Sequence, residues 1–383
     1  MRTMGVTIRD AFSGLDNALF RGLDQRGLLA GVCHADLPPS WRALMLAAAF
    51  RLPKRRWFFA WQQAMTKTPA SFRRRSRVVA KQLRRSVDDY DVVLQLGGLF
   101  ASFDHDFPRP LAVVCDYTTK LAEQNYPPWF GLKPRRARAW YELETNLYRR
   151  AARIFTASEN TRRSLILHYG APSDRVTVIG EGVSGTVEHP DKTYDEQTVL
   201  MVGIDFERKG GPTVLRAFRD VVRHLPHARL LVIGPNAGPV QARVEWLGHV
   251  SDRDQLSRLF AAATVLVLPS VCEPFGLALI EAMAHGLPVI GSKVDAMPEI
   301  VSDNEHGYLI APGDATALAE RLIALLSSPD LCARMGEAGR ERVRRQFLWS
   351  QVVDRLVSGL SEIDLNDRRG RCASSLLRSD QGS

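Results

Sequence analysis

Two glutamates on either side of a short turn could together recognise a nucleotide. They stand in the stretch VCEPFGLALIEAMAHGLPVIGS, where Glu273 precedes a Pro-Phe-Gly turn and Glu281 follows it. A helix that begins near Gly276 would offer its first backbone N–H groups and the positive end of its dipole to an anion. Glu281, one turn inside that helix, could accept hydrogen bonds from a ribose diol. Glu273 would then lie nearer a group attached to the distal phosphate.

A second segment with phosphate-binding chemistry is GIDFERKGG, residues 203–211. It lies between an apolar run and a helical pattern, and its glycines would let a ligand approach the backbone. Arg208 and Lys209 place two cations at the carboxyl end of the preceding strand, which suits a phosphate or a diphosphate. Taken alone, this segment also fits a charged loop. For the two glutamates, the alternatives are that Glu281 is a solvated helix residue and that Glu273 is a capping acid.

The elements around these residues predict an α/β fold with two doubly wound, Rossmann-like domains. Short apolar runs alternate with helical spacing, which is typical of parallel sheets covered by helices on both faces. In the second half the expected strands are 198–203, 228–234, 244–248, 264–269, 287–291 and 308–310. In the first half they are 5–8, 91–96, 111–115, 153–157 and 175–179, of which the first is poorly defined. The clearest helical patterns are 13–26, 212–225, 255–263, 315–326 and 331–346.

Composition divides the chain into five segments. Residues 1–180 and 198–348 form the two domains, and the polar residues 181–197 form a linker between them. We predict that a C-terminal helix over 349–363 returns toward the first domain and that residues 364–383 form a loose tail. Two such domains would face each other across a cleft, because ligands of these folds bind at the carboxyl ends of the strands.

Composition also narrows the class of protein. The 383 residues are 45% hydrophobic and 24% charged, as in globular domains. The chain contains no run of 18 or more apolar residues, the length needed to span a bilayer, and its N-terminus has no signal-peptide pattern. We therefore expect a soluble or surface-bound protein. The five cysteines are dispersed and form no C-x-x-C pair, which favours reduced thiols in the cytoplasm over disulfides or a zinc site.

The net charge of +9 is concentrated in one basic segment, residues 51–85. Residues 37–87 contain no Asp or Glu, and the aromatic block WFFAW at 57–61 lies among the cations. This combination favours an anionic partner, and the grouped aromatics favour a membrane surface over nucleic acid. We therefore expect a cytoplasmic protein that can bind peripherally at the inner face of the membrane. The alternative for this segment is a solvated helical face.

The order and spacing of segments in the second half resemble the retaining nucleotide-sugar glycosyltransferases of family 4, which have the GT-B fold. The resemblance runs through VGIDFERKGG, LLVIGP, WLGHVSDRDQLSRLFAAATVLVLPS, EPFGLALIEAMAHGLPVIGS, PEIV and GYLIAPGD. It implies a retaining hexosyltransferase that needs no metal or other cofactor. It also implies that residues 198–348 bind a nucleotide-diphospho-sugar donor and that residues 1–180 bind a glycan, lipid-linked or small-molecule acceptor.

The resemblance implies a role for each candidate donor-site residue. Arg208 and Lys209 would hold the diphosphate as it departs, Glu273 would contact the transferred sugar, and Glu281 would bind the ribose. These first three are the candidate catalytic residues of the donor domain. The full set of candidate donor-binding residues is Gly203, Arg208, Lys209, Glu273, Phe275, Gly276, Leu277 and Glu281. A non-catalytic nucleotide-sugar binding protein and a GT-B sugar-nucleotide epimerase remain alternatives, since both would share the phosphate site.

The chain departs from the family pattern at several positions. Asp295 and Ala296 stand where the family often has two glycines, and EGVS at 181–184 replaces the usual Asn-Gly-Val-Asp. Asp116 stands where the family often places a histidine near the reacting sugar, so it is a candidate acid/base or acceptor-orienting group, with helix capping as the alternative. Two further polar or flexible groups of the first half are Asp104, His105 and Asp106, and Gly97 with Gly98.

Overall fold

The chain divides into two compact units in the computed structural model. The structure describes residues 1–9, 14–37, 39–41, 67–102, 107–129, 132–186, 192–194 and 196–365. The first unit takes residues 1–179 and the chain from Val353 onward, and the second takes Gly180–Val352. Segment 181–197, which composition predicts to be a linker, is therefore grouped with the second unit. The residues 51–66 of the basic segment, the cluster 104–106 and the tail 366–383 lie outside the described residues.

The first unit is built on a parallel sheet. Its described strands are β1 (Thr3–Thr7), β2 (Leu29–His34), β3 (Val92–Leu96), β4 (Leu111–Cys115), β5 (Arg153–Thr156) and β6 (Val176–Val178). They follow the order β2-β1-β3-β4-β5-β6. Its described helices are α1 (Leu15–Asp24), α2 (Pro69–Arg85), α3 (Thr119–Asn125), α4 (Pro134–Arg150) and α5 (Glu159–Tyr169).

The second unit repeats this plan. Its described strands are β7 (Thr198–Val202), β8 (Arg229–Ile233), β9 (Val244–Gly248), β10 (Val265–Leu268), β11 (Val289–Ser292) and β12 (Gly307–Ile310). They are parallel in the order β12-β11-β10-β7-β8-β9. Its described helices are α6 (Gly211–His224), α7 (Arg253–Ala262), α8 (Leu277–Ala284), α9 (Met297–Ile300), α10 (Ala315–Leu326) and α11 (Pro329–Gln346).

One further helix, α12 (Trp349–Ser361), crosses the division between the two units at Val353. No helix of the described residues is both long and apolar enough to cross a membrane.

The prediction of two doubly wound α/β domains is confirmed. Each predicted strand begins and ends within two residues of an observed strand. The agreement arises because continuous apolar runs become the buried strands of a parallel sheet. β1 begins at Thr3, earlier than predicted, and is buried along its whole length. β2 was not predicted: LAGVCH has a glycine and small residues instead of a continuous apolar run, and this edge strand is only partly buried.

Candidate active site

Three loops of the second unit meet at one edge of its sheet. They follow β7, β10 and β11, which are neighbours in the parallel sheet, so their carboxyl ends lie side by side. The first loop carries Arg208 and Lys209, the second carries Glu273, and the third carries Asp295. The strand order therefore brings Lys209 to Glu273 across 64 residues of sequence.

The side chains of these loops form an ion cluster around Glu273. Lys209 Nζ lies 2.5 Å from Glu273 Oε2, and an Arg208 nitrogen lies 3.4 Å from the same oxygen. The Ser270 hydroxyl donates to Oε2 at 3.1 Å. The exposed fractions of the side chains are 14% for Lys209, 11% for Arg208 and 7% for Glu273, so water screens these charges only weakly. The candidate diphosphate-binding cations are thus held in place by the candidate sugar-binding acid.

Only one oxygen of the Glu273 carboxylate takes part in this cluster. The three donors from Lys209, Arg208 and Ser270 all converge on Oε2. Among the described residues no hydrogen bond reaches Oε1, and Oε1 is not sealed in the interior. This oxygen can accept a hydrogen bond from a ligand hydroxyl without breaking a contact of the protein.

Two glycines let the loop after β7 pack this closely. A Cβ on Gly203 would lie 2.6 Å from Cγ of Lys209, so the missing side chain makes room for the lysine stem. Gly210 has φ +78°, and a Cβ there would lie 2.0 Å from the carbonyl oxygen of Pro269. A main-chain hydrogen bond of 2.9 Å from Val271 N to Arg208 O ties the same two loops together.

Helix α8 begins as the sequence predicts. Gly276 is its N-cap, with φ 114° and no side-chain cap, so the first-turn N–H groups are presented at the same edge of the sheet. The Phe275 ring is buried and packs on Phe347 with 6.3 Å between ring centroids, so Phe275 can offer a ligand only its main chain. Leu277 in the first turn of this helix is half-buried, whereas Ile280 and Ala284 are buried.

Glu281 lies one turn into α8 and is half-buried. Burial raises the pKa of its carboxyl group, and the nearby charges of Arg253 and Lys209 oppose this shift. Lys209 therefore contacts Glu273 directly and also interacts electrostatically with Glu281. The structure brings together Arg208, Lys209, Glu273 and the start of α8, and it sets Glu281 close enough to Lys209 for their charges to interact.

Asp295 is a site residue that the sequence did not assign. Its Oδ2 accepts a hydrogen bond of 2.8 Å from the backbone N–H of Glu273. Its φ is +47°, in the left-handed region where glycine is favoured and Asp is tolerated. Glycine, which the family often has here, adopts this conformation readily, and Asp295 adopts it in this chain. The departure from the pattern was the available sequence signal.

Asp116, the candidate of the first unit, follows β4 directly and is half-buried. Burial raises the pKa of its carboxyl group, whereas the Tyr117 N–H, 2.9 Å from Oδ1, and the charge of Lys67 lower it. Asp116 does not cap the next helix. The side chain of Thr118 does, accepting the Leu121 N–H at 3.2 Å. The capping alternative for Asp116 is therefore wrong.

Glu144 of α4 carries a buried carboxyl group that the sequence pattern did not indicate. Thr119 Oγ1 donates to it at 2.6 Å and the Tyr169 hydroxyl at 2.8 Å. Burial raises the pKa of Glu144 to about 7, although these hydrogen bonds and the charge of Lys67 lower it. The interior around Glu144 is crowded, since a Cβ on Gly98 would lie 2.4 Å from the Tyr148 hydroxyl.

Two family models match this chain. The model described as "Glycosyltransferase Family 4" matches residues 19–184, and the one described as "Glycosyl transferases group 1" matches residues 187–342. The chain belongs to these family 4, group 1 glycosyltransferases. The two matches follow the two structural units, and the second contains every candidate donor-site residue.

Curated relatives align with part of this glycosyltransferase. An N-acetyl-alpha-D-glucosaminyl L-malate synthase of Bacillus anthracis is 34% identical over 167 residues, which are 41% of this chain and 43% of the relative. A phosphatidyl-myo-inositol mannosyltransferase of Mycobacterium leprae is 36% identical over 171 residues, 42% of this chain and 45% of the relative. The chain thus spans about half the length of the curated relatives it matches.

Solved structures share the fold across nearly the whole chain. A sucrose-phosphate synthase of Thermosynechococcus elongatus has a TM-score of 0.69 at 19% identity, covering 94% of this chain and 98% of that chain. Anabaena HepE, solved with UDP and glucose, has a TM-score of 0.66 at 15% identity, covering 94% of this chain and 100% of that chain. At these identities the likeness establishes the GT-B fold alone.

The first prediction concerns Gly210. An alanine there must take up left-handed backbone, which costs about 1–2 kcal/mol, and must also displace Pro269. Gly313 has a similar φ of +79° with nothing within 4 Å of a Cβ, so Gly313→Ala is a matched control for backbone strain alone. Denaturant unfolding should show a larger loss for Gly210→Ala than for Gly313→Ala. Equal losses would contradict the close packing of the two loops.

A second prediction concerns the buried Glu144. Its pKa of about 7 in the folded chain exceeds the ordinary 4.5, so the folded state binds the proton more tightly between these values. The free energy of unfolding should therefore fall as pH rises through this window, by on the order of 3 kcal/mol. Glu144→Gln should remove this part of the pH dependence, and Glu142→Gln, at an exposed position of the same helix, should retain it. An unchanged slope in Glu144→Gln would refute the assignment.

Proposed function

We propose that this chain transfers a hexose from a nucleotide-diphospho-sugar to an acceptor hydroxyl, with retention of configuration. The observation that carries the proposal is the Lys209–Glu273 contact of 2.5 Å, with Arg208 beside it, at the edge where α8 begins. These residues place two cations, a helix N-terminus and a carboxylate oxygen that can accept a hydrogen bond within one small region. A diphosphate attached to a sugar needs this combination of partners.

The mechanism follows from where charge develops. As the glycosidic bond breaks, negative charge grows on the departing diphosphate, and Arg208, Lys209 and the first amides of α8 would stabilise it. In this proposal the protein's own cations take the role that a divalent metal plays elsewhere. Glu273 Oε1 would accept from a sugar hydroxyl, and Glu281 would accept from the ribose. The acceptor hydroxyl oxygen would attack on the face that the leaving phosphate vacates, and its proton would pass to the departing diphosphate.

The ligands and activities of related proteins support this choice of substrates. HepE was solved with UDP and glucose, and one aligned relative is a mannosyltransferase whose name gives a phosphatidylinositol acceptor. A hexose donor and a glycan, lipid-linked or small-molecule acceptor are accordingly our proposal for this chain. For the acceptor side we propose that Asp116, at the carboxyl end of β4, orients the attacking hydroxyl.

The direct test is the loss of transfer in three variants. Arg208→Ala, Lys209→Ala and Glu273→Ala should each lower kcat by about 10²–10³-fold, because each removes a group aimed at the reacting centre. The measurement is release of nucleoside diphosphate from a panel of UDP-, GDP- and ADP-hexoses. Arg223→Ala, an exposed arginine of α6 paired with Asp220, is the matched control and should turn over normally.

The same assay separates the alternatives. Turnover close to wild type in all three variants would contradict the proposal. Binding of the donor by the wild type without any release of nucleoside diphosphate would indicate a non-catalytic binding protein. An isomerised nucleotide sugar in place of a sugar-modified acceptor would indicate an epimerase.

We further propose that the first unit binds an anionic membrane surface peripherally through α2. This helix buries Phe72, Val79 and Leu83 against the core of its own unit. Its exposed positions carry a set of cations: Arg73, Arg74, Arg77, Lys81, Arg84 and Arg85. No acid lies on α2, so this face attracts anionic headgroups and would place the enzyme beside a lipid-linked acceptor.

Charge reversal tests this membrane proposal. Each cation near an anionic surface contributes about 1 kcal/mol, so Arg77→Glu with Lys81→Glu should weaken vesicle binding by more than about tenfold. Binding is measured by flotation with phosphatidylcholine vesicles, with and without phosphatidylglycerol, at two salt concentrations. Arg219→Glu with Arg223→Glu, on exposed positions of α6, is the charge-matched control. Equal binding by both double variants, or a preference for duplex DNA, would refute the proposal.

A further inference from the structure

Glu273 has two anchors besides the cations. Its backbone N–H donates to Asp295 Oδ2 at 2.8 Å, and its Oε2 accepts from the Ser270 hydroxyl at 3.1 Å. Neither anchor carries positive charge, so neither would be drawn away by a phosphate. Lys209 and Arg208, the other partners of this carboxylate, are the groups that the proposed function assigns to the diphosphate.

The loop that carries Asp295 is itself fixed to the loop of Glu273. The buried Ser292 hydroxyl, at the end of β11, donates to the carbonyl of Ser270 at 2.5 Å. Val294 N donates to Ser292 O at 2.9 Å, and Met297 N donates to Val294 O at 3.1 Å, which closes the turn around Asp295. The loops after β10 and β11 are thus joined twice, once through Ser292 and once through Asp295.

The residue type at position 295 satisfies two requirements at once. The backbone there has φ +47°, which most side chains disfavour and glycine adopts readily. Glycine, however, would present no oxygen to the Glu273 N–H. Aspartate is among the few residues that tolerate the left-handed region and also supply an acceptor. The strained conformation persists because its carboxylate holds the neighbouring loop.

We propose that Asp295 is a positioning residue that keeps Glu273 in place when Lys209 and Arg208 turn from it to the donor diphosphate. This inference rests on the proposed function. In the unliganded site Lys209 and Arg208 are both paired with Glu273. On binding, the phosphate oxygens compete for the cations, and Glu273 keeps its position through Asp295 and Ser270. The free Oε1 then meets the sugar hydroxyl in the geometry that transfer requires.

Two variants isolate the role of the Asp295 oxygen. Asp295→Gly keeps the left-handed backbone but removes the acceptor, and Asp295→Asn keeps both the conformation and an acceptor oxygen. Asp295→Gly should lower kcat about tenfold or more, because the Glu273 carboxylate is no longer held for the transition state. Its affinity for uridine diphosphate alone, measured by calorimetry, should stay near that of the wild type, since the phosphate-binding groups are untouched. Asp295→Asn should recover most of the lost turnover.

A second readout does not depend on activity. The amide of Glu273 should exchange hydrogen slowly in the wild type and in Asp295→Asn, and clearly faster in Asp295→Gly, as measured by mass spectrometry on the peptide containing it. Equal exchange in all three proteins would overturn the inference, as would normal turnover by Asp295→Gly. A parallel loss of turnover and of uridine diphosphate affinity would also overturn it, because that pattern means a general collapse of the site.

These outcomes are distinguishable from failure of the proposed function. If the wild type releases no nucleoside diphosphate from any donor, the proposed transfer is wrong. The exchange of the Glu273 amide still decides whether Asp295 holds it.

Discussion

The contact between Lys209 and Glu273 is the interaction on which the second unit's site depends. Both side chains are largely buried, and a buried ion pair stabilises a fold only where further hydrogen bonds satisfy its charged groups. Ser270 and Arg208 supply these bonds to the carboxylate, and Asp295 fixes the backbone beneath it. Lys209 and Arg208 are thus held in a position with little exposure to water. In the proposed function, a diphosphate would replace the carboxylate as their partner. A site of this kind is preorganised for charge that appears during reaction.

The parallel sheet is what makes this contact possible. β7, β10 and β11 are neighbours, so three loops that are distant in sequence leave the sheet at the same edge. Glycine at positions 203 and 210 then lets the loop after β7 close over the loop after β10. In the first unit, Asp116 lies at the corresponding edge of its own sheet. Glu144 of that unit accepts hydrogen bonds from the hydroxyls of Thr119 and Tyr169. One plan thus yields an ion cluster in one unit and a buried, titratable carboxyl group in the other.

The sequence predicted what depends on local pattern. Continuous apolar runs located the buried strands, and the Pro-Phe-Gly turn located the start of α8 at Gly276. It could not predict the Asp295 contact, which depends on a left-handed backbone at a residue other than glycine and on a partner 22 residues away. Glu144 was missed because an acid in a helix rich in charge usually faces water, and only packing of α4 against Tyr169 and Thr119 reveals its burial. Strand β2 was also missed, because an edge strand is only partly buried and its sequence LAGVCH has no continuous apolar run.

The measurement that tests the central claim most directly is a crystal structure of the protein with a bound nucleoside diphosphate. The account predicts that diphosphate oxygens lie within hydrogen-bonding distance of Lys209 Nζ and the Arg208 guanidinium, near the first N–H groups of α8. It also predicts that Lys209 moves away from Glu273, while the Glu273 N–H stays on Asp295. A diphosphate bound elsewhere, or an unchanged Lys209–Glu273 contact with the diphosphate in place, would contradict it.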